Sequence, residues 1–232
     1  MAGRLGIAWL APPGRRHGAA ASPSNTAFPL TGMETGTRAA RVADLAASPS
    51  GTLDMRIARW VDLGNGARAA ANPDVVFFSS SNTQAFDNAA QRSAFRAQWL
   101  GQFLDVHPDL AVLALEPSGT CAGYCVVWPD DPRTTGDFRG LDYFGAAGDA
   151  VSRFPAHLHI NLAEGLRGNG LGSRLLAAAL ARLDAARPGT GVHIFTEANA
   201  RNRSFYRHNG FDEILSVPWR ERRLVMMARD NA

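Results

Sequence analysis

Between the apolar run Leu158-His159-Ile160-Asn161-Leu162 and the leucine- and alanine-rich stretch from Ser173 to Arg187 lies the segment Arg167-Gly168-Asn169-Gly170-Leu171-Gly172. The order predicts a strand, a glycine loop and a helix. Three glycines at alternate positions let the backbone approach a bulky ligand with no Cβ in the way. The unpaired N–H groups that open the following helix then point at whatever sits there, and such a turn suits a phosphate. A nucleotide triphosphatase loop of the form GxxxxGK[ST] is excluded, because the chain contains no lysine. A dinucleotide fingerprint fits poorly. Its third glycine comes one residue early here, although Glu197 does follow the next strand, and only 60 residues remain after Gly172 for the βαβ units that motif normally opens.

The spacing Arg-x-x-Gly-x-Gly, carried by Arg167, Gly170 and Gly172, resembles the pyrophosphate-binding loop of the GNAT superfamily of acyl-CoA-dependent N-acyltransferases. A second block stands at the family's distance, Asn199-Ala200-Arg201-Asn202-Arg203-Ser204-Phe205-Tyr206-Arg207-His208-Asn209-Gly210-Phe211, and is similar to its N-x-x-(A/N)-x-x-(F/L)-Y-x-x-x-G-F segment. Upstream, Ala156 to Leu162 resembles the strand before the loop in a bacterial subset of these enzymes and in acetyltransferase-like domains related to the C-terminal part of O-GlcNAcase. Many of those carry Asp where this chain has Asn161. The likeness runs from about Val75 to Arg229.

That resemblance implies an α/β (α+β) fold, a mixed central sheet of about six or seven strands flanked by helices, with splayed central strands forming an acyl-CoA cleft. It implies acetyl-CoA as acyl-donor substrate, held by the backbone of Ile160, Asn161 and Leu162, by the loop from Arg167 and Gly168 through Asn169, Gly170, Leu171, Gly172 and Ser173, and by Asn199, Asn202 and Tyr206. Tyr206 matches the family's tyrosine general acid, although a Tyr beside Phe205 on an amphipathic helix also reads as packing. Arg174 reads either as a phosphate partner or as a solvated side chain.

Composition narrows the remainder. With 232 residues and 46% hydrophobic content the chain can bury a substantial core. All 24 basic residues are arginine, yet the net charge is only +3, so nucleic-acid binding is not indicated, and Arg220, Arg222 and Arg223 read as a solvated face. The only cysteines are Cys121 and Cys125. On one strand they would sit ~13 Å apart, too far for a disulfide. No Cys or His at zinc spacing accompanies them, and no metal is expected. Buried free thiols imply a reducing compartment, no run approaches the ~20 apolar residues of a membrane span, and the cytoplasm is the expected location.

Residues 1–32, rich in Ala, Gly, Pro and Ser, are expected to be a disordered extension, with Met33 as an alternative start. Residues 33–74 are expected to add a helical appendage through Leu53, Ile57, Trp60 and Val61, with the acetyltransferase-like domain spanning 75–232. Within it, Val75 to Ser79 reads as a short buried strand. Ser81-Asn82-Thr83 reads as the cap of a long helix to Leu104, whose stripe is Phe95, Trp99, Leu100, Phe103 and Leu104. Leu110 to Leu115 and Gly123 to Trp128 read as paired strands. The glycine-rich stretch 129–153, with Phe138, Tyr143 and Phe144 embedded, reads either as an acceptor-site lid or as a passive surface insertion. Phe211 to Val217 and Arg223 to Ala228 read as a terminal antiparallel pair.

Strand alternation puts Leu158, Ile160 and Leu162 on one side and His157, His159 and Asn161 on the other. Three polar groups on one face of a central strand need hydrogen bonds or water, and a cleft supplies both. Acetyl transfer to an amine requires a neutral nucleophile, and His titrates near neutrality. His159 is therefore the preferred base, with His157, Glu197 and Glu164 as rivals. The expected function is N-acetyl transfer from acetyl-CoA to an amine by direct transfer in a ternary complex. The alternative is a noncatalytic acyl-CoA sensor, which Asn161 in place of Asp favours. Acceptors from small amines to peptide and protein amines remain open, and a homodimer is compatible with the family's habit.

Overall fold

The computed structural model describes residues 54–81, 83 and 85–231. The expectations for residues 1–32 and for Met33 as a start lie outside the described residues. Seven strands form one sheet in the order β1-β2-β3-β4-β5-β7-β6. They are β1 (Arg56–Arg59), β2 (Ala111–Leu115), β3 (Cys121–Trp128), β4 (Ala156–Leu162), β5 (Val192–Glu197), β6 (Asp212–Trp219) and β7 (Arg222–Arg229). Every neighbouring pair is antiparallel except β4 and β5, which run parallel. Parallel strands cannot be joined by a hairpin, and the crossover here is the 16-residue helix α7 (Leu171–Ala186). Its apolar period works as the sequence predicts: Leu171, Leu175, Leu176, Ala179, Leu180 and Leu183 are all buried against one face of the sheet.

The other face is covered by α2 (Asp74–Ser80), by α3 (Ala89–Arg96) continuing through a π turn at Ala97–Gly101 into α4 (Gln102–Val106), and by α5 (Tyr143–Ala146) and α6 (Asp149–Arg153). The stripe Phe95, Trp99, Leu100, Phe103 and Leu104 is buried there as predicted.

Three predicted elements differ from the structure. The segment with helical spacing before residue 74 contains β1, which pairs with β2 from Arg56↔Leu115 to Arg59↔Val112, followed by a 3₁₀ turn at Trp60–Asp62 and helix α1 (Asn65–Ala71). Strand β2 is buried along its whole length, and β1 supplies its outer edge with hydrogen bonds. The sheet thus starts at Arg56, well before residue 75. Val75 to Ser79 is helical rather than a strand: Pro73 and Asp74 are helix-start residues, and only Val76, Phe77 and Ser80 turn inward while Val75 stays 58% exposed. The long helix is capped not at Ser81 to Thr83 but by Asn88, whose side chain accepts from Gln91 N at 2.9 Å. Ser81 Oγ instead accepts from Thr83 N within its own turn.

The stretch 129–153 is no passive surface insertion. Phe138, Leu141, Tyr143, Phe144, Ala147 and Val151 are buried in the core beneath it. Trp219 Nε1 donates to Asp142 Oδ1 at 2.8 Å, which ties the stretch to β6.

A register shift in the β2/β3 pair, where Ala114 faces Gly123 but Leu115 faces Cys121, turns Cys121 toward one core cluster and leaves Cys125 in the other. Both thiols are buried and free. Gly123 beside this shift has no room for a side chain. A Cβ there would lie 2.4 Å from Leu162 Cδ2 and 2.9 Å from Asn161 O. Gly123→Ala is accordingly expected to cost about 2 to 3 kcal/mol, because the β3/β4 pair must move apart. Urea unfolding reads this directly, and an unchanged midpoint would show that the strands yield without cost.

Candidate active site

Strand β4 is hydrogen-bonded to β3 through its length, from His157↔Trp128 to Leu162↔Gly123. Toward β5 it is paired only at Ala156↔Val192 and His157↔His193. Beyond that point the two parallel strands part, and the backbone of Ile160, Asn161 and Leu162 borders a gap in the sheet. Backbone groups that leave a ladder must find other partners. At the gap's upper end the Leu162 carbonyl accepts from Ser80 Oγ at 3.4 Å, and Ala163 N donates to Ala122 O at 2.8 Å.

The glycine loop closes the same end of β4. Gly165, Gly168 and Gly170 have φ of +86°, +83° and +75°, and a Cβ at any of them would meet no atom within 4 Å. The space beside them is open. Gly170 is the N-cap of α7, and the first bond back into the helix is donated by Arg174 N to Gly170 O at 3.1 Å. The amides of Leu171, Gly172 and Ser173 come before it, at the positive end of the helix dipole. Gly172 serves packing instead: its Cβ would lie 3.1 Å from Phe205 Cε2, so its absence lets α7 approach α8 (Asn202–His208). Arg167 is half-buried and Asn169 exposed at the loop. Arg174 reaches away from it, donating to Met55 O at 3.1 Å.

Across the gap, Thr196 Oγ1 donates to Asn202 Oδ1 at 2.8 Å, which orients the amide and leaves Asn202 Nδ2 buried without a partner. A buried N–H donor of this kind calls for an acceptor such as an amide carbonyl. Asn199 is exposed. The N-cap of α8 is Arg201, and neither asparagine caps the helix. Tyr206 is 2% exposed, wedged between Phe205 and Phe211, and burial, with the Cys125 thiol adding to it, pushes its hydroxyl pKa up.

On the opposite side of β4 the histidines enter an aromatic enclosure. His159 meets Trp99 and Phe103 edge-on at 5.7 and 5.1 Å between centroids, and His157 meets Phe138 and Phe144 at 6.0 and 5.1 Å. His157 Nε2 and His159 Nε2 are 3.1 Å apart. A third imidazole joins them: His193 on β5 lies 5.0 Å from His157, centroid to centroid. Burial is the main cause that lowers all three pKa values, to about 3 for His159, to about 4 for His193 and well below the ordinary 6.5 for His157. All three rings are neutral at physiological pH.

These features belong to a known architecture. The sequence profile of the Acetyltransferase (GNAT) family matches residues 76–211. The chain is a member of the GNAT acetyltransferase family. Among solved structures, SsHAT superposes with a TM-score of 0.59 at 22% identity, over 77% of this chain and 98% of that one. The yncA protein of Salmonella typhimurium, solved with its cofactor acetyl-CoA, gives a TM-score of 0.49 at 16% identity over 77% and 95%. No curated protein matches the sequence.

Within this GNAT frame, the sequence-predicted residues divide into two groups. Ile160 to Leu162 border the gap between β4 and β5, Arg167 to Ser173 follow that end of β4, Asn202 is tied to β5 through Thr196, and Tyr206 is buried in the core between Phe205 and Phe211. Glu197 does not offer a free carboxylate, because Arg222 Nη1 pairs with it at 2.6 Å, and Glu164 is exposed. The Asn161 side chain is fully buried and donates to the Tyr124 hydroxyl at 2.6 Å, so it braces β4 against β3. His193 was missed in the sequence. Its signal was present as the alternation of Val192-His193-Ile194-Phe195, but the face it takes is fixed only by the parallel register that sets it beside His157. Among the described residues no group of three or more His, Cys, Asp or Glu is placed to hold a metal, and no helix is long and apolar enough to cross a membrane.

Proposed function

We propose that the protein is an N-acetyltransferase that moves the acetyl group of acetyl-CoA to an amine by direct attack in a ternary complex. The observation that carries this is the parting of β4 from β5 after His157 and His193, directly above a glycine loop with open space over its positive-φ residues. A pyrophosphate is matched by the amides of Gly168 to Ser173 and by Arg167. The pantetheine arm is matched by the unpaired edge of β4 and by the unpartnered Asn202 Nδ2. An N–H of the Ile160 to Leu162 backbone is suited to the oxyanion that develops on the thioester carbonyl. His159, neutral and partly accessible, is placed to accept a hydrogen bond from the amine, but with its pKa lowered to about 3 it is a weaker base than the free imidazole the sequence suggests, and Tyr206 is suited to hydrogen-bond the departing sulfur. Burial keeps Tyr206 a phenol, so it serves as a donor across the working pH range.

The acceptor site adjoins an aromatic wall that runs from His159 through Trp99 and Phe95 to Phe86 and Phe78. The test is amine-dependent release of CoA read with a thiol reagent. Both cysteines are buried, so the native protein contributes little signal. Release that tracks the amine supports the assignment. Binding of acetyl-CoA without release across a broad amine panel would favour a sensor, and no binding at all would overturn both. Tyr206→Phe is expected to lower kcat about 100-fold while leaving the acetyl-CoA Kd unchanged. An unaltered kcat would reduce Tyr206 to packing.

A further inference from the structure

The β6/β7 hairpin turns in a way that its residues do not favour. Trp219 pairs with Arg222, so the loop between the strands consists of Arg220 and Glu221 alone. Arg220 has φ +53°, and apart from Asn72 it is the only residue other than glycine with a positive φ among the described residues. A two-residue hairpin loop with positive φ at its first central position alone is a II′ turn, and that position favours glycine. A residue with a side chain is strained there, because its Cβ crowds the following carbonyl oxygen. Residues held in this way gather at ligand sites.

The Arg220 side chain is arranged to meet an anion. Its guanidinium carbon lies 4.4 Å from the centroid of the Trp219 ring. Stacking engages the face of a guanidinium and leaves the N–H edge open, in the planar fork that matches a carboxylate. The arginines that the sequence presents as one solvated face are therefore not equivalent. Arg222 is spent on Glu197 at 2.6 Å, whereas among the described residues no carboxylate is paired with Arg220. Asp142 meets the same indole at its edge, where it accepts from Trp219 Nε1 at 2.8 Å and so fixes the ring on which Arg220 lies.

The turn stands at the open end of the gap. Leu224 pairs with Glu197, and Ala198 N donates to Arg223 O at 3.0 Å, so the hairpin extends past the C-terminal end of β5. Beyond His157 and His193 that is the direction in which β4 and β5 part. Trp219 is buried in one cluster with Phe195, Trp99 and Phe103, on the face that His159 shares and α7 does not. We propose that Arg220 is a specificity-determining residue that binds a carboxylate of the acceptor. By strand spacing, that carboxylate lies roughly 7 to 10 Å from the reacting amine. The preferred acceptor is then an amine with a carboxylate at the far end of its chain.

This assignment rests on the acetyltransfer reading, and two measurements on the full chain separate the two. The indole N–H resonance of Trp219, identified by its loss in Trp219→Phe, is followed by NMR as ω-aminohexanoate is added with no acyl donor. It should shift in the wild type and stay in place in Arg220→Gly. Amine-dependent CoA release is then compared for ω-aminohexanoate and its neutral amide. The ratio of their kcat/KM values should favour the carboxylate in the wild type and fall about 10-fold in Arg220→Gly, as the loss of a charge-assisted hydrogen bond implies. The urea midpoint of that variant should be no lower than the wild type's, since glycine relieves the turn. An indole signal that ω-aminohexanoate leaves unmoved, or an unchanged ratio in the variant, would overturn the proposal. An unchanged ratio with a lowered midpoint would show that Arg220 serves the turn itself. An indole shift without CoA release from any amine would refute acetyl transfer and leave the carboxylate site standing.

Discussion

Bringing the protein from about pH 7 to about pH 5 is expected to lower its stability through two buried side chains, His157 and His193, by about 2 kcal/mol for His193 alone. They are 2% and 0% exposed, in an enclosure of Phe138, Phe144 and Phe195, and burial holds both neutral. Both folded pKa values lie below the unfolded one, His193 at about 4 and His157 well below the ordinary 6.5. As the pH falls below about 6.5 the unfolded chain binds protons that the folded chain refuses, so the stabilisation is complete above that value. It drains away as the pH descends toward the folded values, with about 2 kcal/mol lost at His193 by pH 5 and His157 acting in the same direction. Carboxylates held down by arginine, Asp131 by Arg133 and Glu213 by Arg203, also lose stabilisation in acid, but only as the pH approaches their own lower range. Urea midpoints at about pH 7, 6 and 5 separate the two windows. A midpoint that does not move between 7 and 5 would mean that the enclosure is wetter than its burial implies.

Substituting Gly170 by Glu should abolish acyl-CoA binding, with a loss of about 100-fold or more in affinity, or about 2.7 kcal/mol. The position is informative because folding and binding are affected so unequally. A Cβ on Gly170 meets nothing within 4 Å, so the only structural cost is the left-handed backbone at φ +75°, about 1 to 2 kcal/mol for an L-residue. The ligand, in contrast, meets a carboxylate at the helix N-terminus where its own phosphate should sit, and the charge that the dipole favours there is already supplied. Calorimetry with acetyl-CoA, accompanied by a urea curve, reads both quantities. Retained affinity in the folded variant would place the phosphates elsewhere.

How much of this could be read in the sequence follows from which elements carry their own signal. Helix α7 and the pair β2/β3 were legible because the leucine period of the first and the two apolar runs of the second, on either side of Pro117-Ser118-Gly119, end at clear stops. The loop and the Tyr206 segment were legible because the glycines and their spacing have few other uses. The run Val75 to Phe78 misled because four consecutive apolar residues hide a helical period, and the deciding signals, Pro73 and Asp74, lie outside it. Strand β1 misled because four residues are too few to show alternation, and its strand state comes from the edge of β2. Stretch 129–153 looked like a loop by its glycines and polar residues, while Phe138 and Phe144 were already the clue that it is built into the core. The histidine row was half visible: His157 and His159 share a strand, but His193 joins them only through a register that one sequence does not display.

The gap between β4 and β5 also has a mechanical side. Strands β1 to β4 form one plate and β5, β7 and β6 another, and within the sheet the two are joined only at Ala156↔Val192 and His157↔His193. Helix α7 packs on β2, β3 and β4. Past that short weld the slot widens, and a molecule lying in it would act as the missing ladder. The weld contains two of the three histidines. Any change in the angle between the plates would alter the spacing of His157 and His193 together with the width of the slot.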